Sequence, residues 1–159
     1  MRKFLSTILI LMLLILSAGC QVSSNTTHFY YPRQEILGGQ ADGLITSEER
    51  DLSEKNTNLQ HLLILYLEGP LSQDLRSPFP KGTAITKLDI QEGFLLLTLT
   101  DAFSQLEGLE RTIAHACLAQ TCFRMGDFDA ILITSGDKTV TLTPKTISLT
   151  DSIAVHNPA

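Results

Sequence analysis

The chain has 159 residues, of which 43% are hydrophobic and 18% are charged, and it contains no tryptophan. This composition is typical of one modest globular domain with accessory segments. Twelve basic residues against 17 acidic ones give a net charge of −5. The chain therefore lacks the basic surface that binding to nucleic acid or to anionic lipid requires.

The first 19 residues follow the order of a secretory signal peptide. Arg2 and Lys3 precede an apolar run at 8–16, and the small residues 17–19 follow it. The apolar run is short for a helix that spans a bilayer, so an uncut signal anchor is the less favoured alternative. Removal of this segment leaves 10 basic and 17 acidic residues, a net charge of −7.

The residues "SAGC" at 17–20 resemble a bacterial lipobox, with Ser17 where leucine is commoner. The resemblance implies that Cys20 becomes the first residue of the mature protein and is the site of lipid attachment, through a diacylglyceryl group and palmitate. It also implies a location on the outer face of the bacterial cytoplasmic membrane. One acyl chain binds a membrane only marginally, whereas two hold it stably. The polar residues 20–27 then predict a tether between the lipid and a domain.

Two strands and a helix are predicted next along the chain. Residues 28–32, "HFYYP", are aromatic and end at a proline, which favours a short strand. After a glycine-rich turn, residues 44–53 predict a second strand that is exposed and charged along much of its length. The spacing of the leucines in "TNLQHLLILYLEGP" predicts a first helix, with Asn58 as its cap and Gly69 at its end.

The second half of the chain predicts two hairpins around a second helix. "AITKLDI" and "FLLLTLT" form the first hairpin, and apolar side chains on both faces of "FLLLTLT" are typical of a central strand. "GLERTIAHACLAQTCFRMG" predicts the second helix, ended by Gly126. "FDAILIT" and "TVTLTP" form the last hairpin. We therefore predict one domain at 28–143, followed by a C-terminal segment at 144–159.

His115, Cys117 and Cys122 raise the question of a metal site or a disulfide in the second helix. At about 100° and about 1.5 Å per residue, the cysteines lie about 140° apart and about 7.5 Å along the axis, beyond disulfide reach. His115 lies about 200° from Cys117, so the three side chains do not converge on a metal. We predict two buried free thiols, with no metal and no cofactor. The core-facing side of this helix also contains Ile113, Ala114, Leu118, Thr121 and Met125.

The order β-β-α-β-β-α-β-β, with amphipathic helices, predicts an α+β fold. We expect a two-layer sandwich in which a mostly antiparallel sheet carries both helices on one face. The sequence contains no nucleophile elbow and no zincin helix. It therefore predicts no enzyme and no catalytic residue.

The stretch from "LYLEGP" to "AILITSGD", with the charged strand "EERDL" before it, resembles the GerMN domain of sporulation and spore germination proteins over about residues 44–143. The matching residues are Leu67, Gly69, Pro70, Pro80, Gly82, Thr83, Thr100, Phe103, Thr121 and Cys122. The family usually has leucine at the position of Cys122, which implies a packing role. The resemblance implies a fold similar to ring-building domains, and it transfers no catalytic group.

Two classes of function follow from these observations. The favoured one is a non-enzymatic, membrane-anchored assembly or interaction module, linked to sporulation or germination, that binds an unidentified protein partner or itself. The alternative is a lipoprotein that binds a small ligand or cell-wall fragment and presents it to a partner. A flat or grooved helical face favours the first class, and a deep pocket with converging polar groups favours the second.

The candidate interface is the side of the second helix that faces away from the predicted core. Its residues are Thr112, Ala116, Ala119, Gln120 and Phe123. An exposed aromatic ring beside small residues lets another surface approach closely. The alternative for Phe123 is packing against the first helix or the C-terminal segment. The charged strand at 48–51 is the second candidate interface.

Overall fold

The computed structural model describes residues 26–34, 44–52 and 58–146. The predicted signal peptide, Cys20, most of the tether, the glycine-rich turn and most of the C-terminal segment lie outside the described residues. The described elements, in chain order, are β1 (Thr26–Pro32), β2 (Ile45–Asp51), α1 (Leu59–Leu67), β3 (Ile85–Gln91), β4 (Phe94–Leu99), α2 (Asp101–Ser104), α3 (Gly108–Met125), β5 (Ala130–Ser135) and β6 (Lys138–Leu142). The predicted order is confirmed, with α2 as an additional short helix.

The six strands form two separate sheets. β1 and β2 pair antiparallel, and the other strands form a four-stranded sheet in the order β3-β4-β5-β6. Neighbouring strands of the larger sheet are antiparallel except for β4 and β5, which are parallel. A parallel pair needs a crossover, which α2 and α3 supply. The α+β fold with mostly antiparallel strands is confirmed, but the strands do not form one sheet, because β1 has a helix rather than a strand along its second edge.

β4 occupies the central position that its sequence predicts. Leu95, Leu97 and Leu99 point to the inner face and are no more than 2% exposed. On the outer face, Phe94 is 40% exposed. The inner face therefore forms the core, and the outer face of the four-stranded sheet has apolar side chains that solvent reaches.

α1 begins and ends where its sequence predicts. The Asn58 side chain accepts a hydrogen bond from the backbone nitrogen of His61 at 2.8 Å, which satisfies one of the free amides of the first turn. Gly69 follows the helix with a φ of 103°, a left-handed conformation that favours glycine. Leu63 and Tyr66, both fully buried, fix the helix to the core.

α3 is buried on nearly all sides. Its buried side chains are Ile113, Ala114, Ala116, Cys117, Leu118, Ala119, Thr121 and Cys122. At about 100° per residue, these positions surround the helix axis. α3 packs against β1 and shares one core cluster with the inner leucines of β4. The helix therefore lies between the two sheets.

α3 ends at Gly126, but the structural role of this glycine differs from the role that the sequence predicted. The helix stops at Gly126 as predicted, but the φ of this residue is −163°, which is extended backbone. A Cβ atom at Gly126 would lie 2.6 Å from the ring of Phe128. A side chain at position 126 would therefore force the ring of Phe128 to move.

Candidate functional site

The predicted interface on α3 is not exposed at its two alanines. Ala116 is 5% exposed and Ala119 is fully buried. Ala119 belongs to the same core cluster as Leu97 and Ile133. The prediction that both alanines face solvent is wrong, because α3 is covered by more than one layer. The small alanine side chains let the neighbouring elements approach closely.

The other three residues of the predicted interface have different surroundings. Phe123 is half-buried and packs against the core cluster, so its ring is not fully exposed. Thr112 is exposed, and its hydroxyl donates to the carbonyl oxygen of Gly108 at 3.2 Å. Gln120 is half-buried. The five residues therefore do not form one exposed face.

Cys117 and Cys122 are free thiols, and both are fully buried. Burial raises the pKa of each thiol, because the ionised form is costly in an apolar surrounding. The prediction of buried free thiols is confirmed. Both side chains therefore pack as small hydrophobic groups.

Thr121 holds the second edge of β1 against α3. The backbone nitrogen of Tyr30 donates to Thr121 Oγ1 at 2.9 Å, although Thr121 is fully buried. The Tyr66 hydroxyl donates to the carbonyl oxygen of Tyr30 at 2.8 Å. Two side chains therefore satisfy both backbone groups of Tyr30 on the edge of β1 that faces away from β2. The sequence predicted Thr121 as a core-facing residue that matches the GerMN pattern, but neither signal indicated this hydrogen bond.

The charged strand at 48–51, the second candidate interface, has a structural role at two positions. Arg50 donates to Glu48 Oε1 at 2.7 Å and to the carbonyl oxygen of Gly69 at 2.6 Å. Glu48 Oε2 accepts from the backbone nitrogens of Leu71 and Ser72 at 2.9 and 2.8 Å. The side chains of Glu48 and Arg50 are each only 10% exposed. This pair therefore ties β2 to the loop that follows α1.

A cleft of about 670 Å³ opens between α3 and the β5–β6 hairpin. Its apolar lining includes Phe103, Ala116, Ile133, Val140 and Leu142. Its polar lining includes Ser104, Arg111, Thr112, His115, Ser135, Asp137, Lys138, Thr139 and Thr146. The volume lies in the range of small-molecule sites, which is roughly 300–1,000 Å³. No sequence signal indicates this cleft, because its cations come from separate elements of the chain.

His115 lies in the wall of the cleft. Its Nδ1 is 2.8 Å from the carbonyl oxygen of Arg111, and its ring meets the ring of Phe103 edge-on at 5.1 Å. A carbonyl oxygen only accepts, so Nδ1 carries the proton. Burial lowers the pKa of His115, and the nearby positive charge of Arg111 also lowers it, against the effect of the hydrogen bond to the Arg111 carbonyl. Its Nε2 is therefore an acceptor at neutral pH.

The outer face of the four-stranded sheet is the second surface with exposed apolar groups. Leu96 and Leu132 are register partners and are both half-buried, and Phe94 on the same face of β4 is 40% exposed. Lys87 and Asp89 lie opposite Thr98 and Leu96 respectively, so they lie on the same face. We name Phe94, Leu96 and Leu132 the outer strip.

The two sheets, the crossover helices and the buried α3 define an α+β domain with mostly antiparallel strands. The first GerMN domain of the sporulation protein GerM from Bacillus subtilis is similar to this chain, with a TM-score of 0.55 and 14% sequence identity. The match covers 72% of this chain and 85% of that domain. The resemblance to the GerMN domain is therefore confirmed at the level of the fold.

A second similar structure is the "Putative Lipoprotein from Clostridium perfringens", with a TM-score of 0.49 and 15% identity. The match covers 78% of this chain and 90% of that chain. No protein-family model and no curated protein matches the sequence. Within residues 26–34, 44–52 and 58–146, no helix combines the length and the apolar character needed to cross a bilayer.

Proposed function

We propose that this chain is a non-enzymatic interaction module, held on the outer face of the bacterial cytoplasmic membrane by lipid on Cys20. Its role is the assembly of an envelope complex in sporulation or spore germination. The observation that carries the proposal is the fold, which is that of the first GerMN domain of a sporulation protein. A shared fold is an analogy, so the interaction itself must be argued from a surface.

The outer strip is the surface that best supports an interaction. Phe94, Leu96 and Leu132 lie together on a sheet face, and aromatic groups are enriched at the centres of protein interfaces. Lys87 and Asp89 lie beside the strip with opposite charges, two positions apart on β3. In a two-fold arrangement whose axis passes between them, Lys87 of one copy pairs with Asp89 of the other, and the reverse contact is equivalent. The partner that we propose for this surface is therefore a second copy of the chain.

Photo-crosslinking in membranes tests this surface. We expect p-benzoylphenylalanine at Phe94 to give a crosslinked product of twice the mass of the chain, because the ring lies in the interface. The matched control is the same substitution at Leu109, which is 68% exposed on α3. Equal crosslinking from both positions, or capture of only a different protein from Phe94, would contradict self-association.

The lipid anchor needs a separate experiment. Cys20→Ser removes the acceptor thiol, so the chain is expected to leave the membrane fraction when cells are fractionated. Ser17→Leu places the commoner residue in the lipobox and should leave the chain membrane-bound. Membrane retention of a mature Cys20→Ser chain that carries no acyl group would contradict the anchor.

The cleft favours a second candidate function, the binding of a small ligand. It combines an apolar floor with polar groups from α2, α3 and the β5–β6 hairpin, the arrangement expected of a ligand site. Ligand binding in the cleft and self-association through the outer strip use different surfaces. Both are therefore compatible with one anchored module.

A further inference from the structure

The floor of the cleft is apolar and rigid. Phe103 and Ile133 are each 2% exposed, and Leu142 is 9% exposed. The first two belong to the core cluster together with Leu142, so the floor is part of the packed interior. Above this packed floor, half-buried Val140 gives the cleft an apolar surface that a ligand can contact.

The rim of the cleft carries two cations that have no carboxylate partner among the described residues. Arg111 is exposed on α3, and Lys138 is exposed at the start of β6. The ion pairs within 4.0 Å in the described part of the chain involve Arg50 and Arg76 instead. Lys138 Nζ donates to the carbonyl oxygen of Ser104 at 3.1 Å, a contact that places its charge at the cleft without neutralising it.

The remaining polar residues of the lining include one carboxylate and several hydroxyl groups. Asp137 is the one carboxylate among the lining residues, and it is exposed in the turn between β5 and β6. The hydroxyl of Thr139 pairs with that of Thr134 at 3.0 Å. The lining therefore contains two cations that have no carboxylate partner among the described residues, and one solvent-exposed carboxylate. The chain as a whole has a net charge of −5.

We propose that this cleft binds a small amphipathic anion, in which a carboxylate or a phosphate is attached to a compact apolar body. Arg111 and Lys138 bind the anionic group, and Val140 and Leu142, above the packed floor, contact the apolar body. This inference rests on the second candidate function, and it is independent of self-association through the outer strip. Crosslinking at Phe94 and ligand binding in the cleft therefore succeed or fail separately.

Ligand-observed NMR on the full chain in phosphatidylcholine nanodiscs tests the proposal, with empty nanodiscs as the blank. The probes are phenyl phosphate, phenylacetate, inorganic phosphate and the neutral benzyl alcohol. We expect phenyl phosphate, phenylacetate or both to bind, and the tighter of the two identifies the anionic group. Arg111→Gln combined with Lys138→Gln should weaken binding at least about tenfold, since two charge-assisted contacts are lost.

The control is Lys81→Gln, which removes an exposed cation outside the cleft lining and should leave the affinity unchanged. Arg111 and Lys138 are exposed, so the double variant should keep the thermal unfolding midpoint of the parent chain. Unchanged affinity in the double variant overturns the proposal, as does failure of both aromatic anions to bind. Binding of benzyl alcohol or inorganic phosphate as tightly as the aromatic anions overturns the amphipathic assignment.

Discussion

The Tyr31 hydroxyl donates to the carbonyl oxygen of Tyr66 at 2.8 Å, and the two rings lie 5.0 Å apart. The Tyr66 hydroxyl in turn donates to the carbonyl oxygen of Tyr30, the residue before Tyr31, at 2.8 Å. Both tyrosines are fully buried, and burial raises the pKa of each hydroxyl. The neutral hydroxyls therefore act as permanent donors that join β1 to α1.

Tyr66→Phe should destabilise the chain by about 1–3 kcal/mol, since the carbonyl oxygen of Tyr30, which is partly buried, loses its side-chain partner. Urea denaturation gives the change in the free energy of unfolding. The control is Tyr30→Phe, which removes a surface hydroxyl. In the parent chain the Tyr30 hydroxyl accepts from Arg124 Nε at 3.2 Å. This variant should change stability by less than about 0.5 kcal/mol. An equal decrease in the free energy of unfolding for both variants would contradict a stabilising role for the hydrogen bond from Tyr66 to Tyr30.

Thr121→Val should cost about 1–3 kcal/mol, because the partly buried backbone nitrogen of Tyr30 then has no acceptor. Thr121→Ser keeps the acceptor oxygen and loses one methyl group, at a cost of about 1 kcal/mol. The same denaturation measurement separates the two effects. A valine variant that is more stable than the serine variant would rule out the hydrogen bond as the reason for threonine.

Much of the fold was predictable because its signals are local. Asn58 caps the start of α1, and Gly69, with its left-handed backbone, marks the end of the helix. The alternation of Leu95, Leu97 and Leu99 identified the central strand. The division into two sheets was not predictable. It depends on Thr121 and Tyr66, which satisfy the edge of β1 across more than 30 residues of sequence.

The candidate site was predicted less well than the fold. Helical periodicity placed Cys117 and Cys122 in the core, but a period alone does not reveal that a second layer also covers Ala116 and Ala119. Alanine is compatible with either an exposed interface or a tight internal contact. The cleft depends on Arg111 and Lys138, which the crossover brings to one place.

The two thiols should react slowly with a bulky maleimide in the folded chain and quickly in urea. The thiolate is the nucleophile, and burial both blocks access to Cys117 and Cys122 and raises the pKa of each thiol. Mass spectrometry of the Cys20→Ser chain reports these two sites alone. Rapid labelling of both sites in the native chain would contradict their burial.

The stability that Glu48 contributes should be lost in acid. Burial acts to raise the pKa of Glu48, but the amide of Ser72, the guanidinium of Arg50 and the amide of Leu71 together lower it below its usual value. A carboxylate whose folded pKa is lowered stabilises above its unfolded pKa, and this contribution disappears as the pH falls through the folded value.

The comparison of wild type with Glu48→Gln, by urea denaturation across a pH series, checks this expectation. The difference in the free energy of unfolding should be constant above about pH 5 and should shrink below about pH 4. Glu49→Gln, at the exposed neighbour, is the control for loss of one charge and should change stability by less than about 0.5 kcal/mol. A Glu48→Gln difference that grows in acid would reverse the assigned sign.

Ala119→Arg should unfold much of the population, whereas Leu109→Arg on the same helix should not. Ala119 is fully buried in the core cluster, so arginine there buries an unpaired charge in a space sized for a methyl group. A cost above about 4 kcal/mol is a large part of the stability of a typical domain. Leu109 is 68% exposed, and its substitution should cost less than about 0.5 kcal/mol. Circular dichroism during thermal unfolding distinguishes the two variants, and a stable Ala119→Arg chain would return α3 to consideration as an exposed interface.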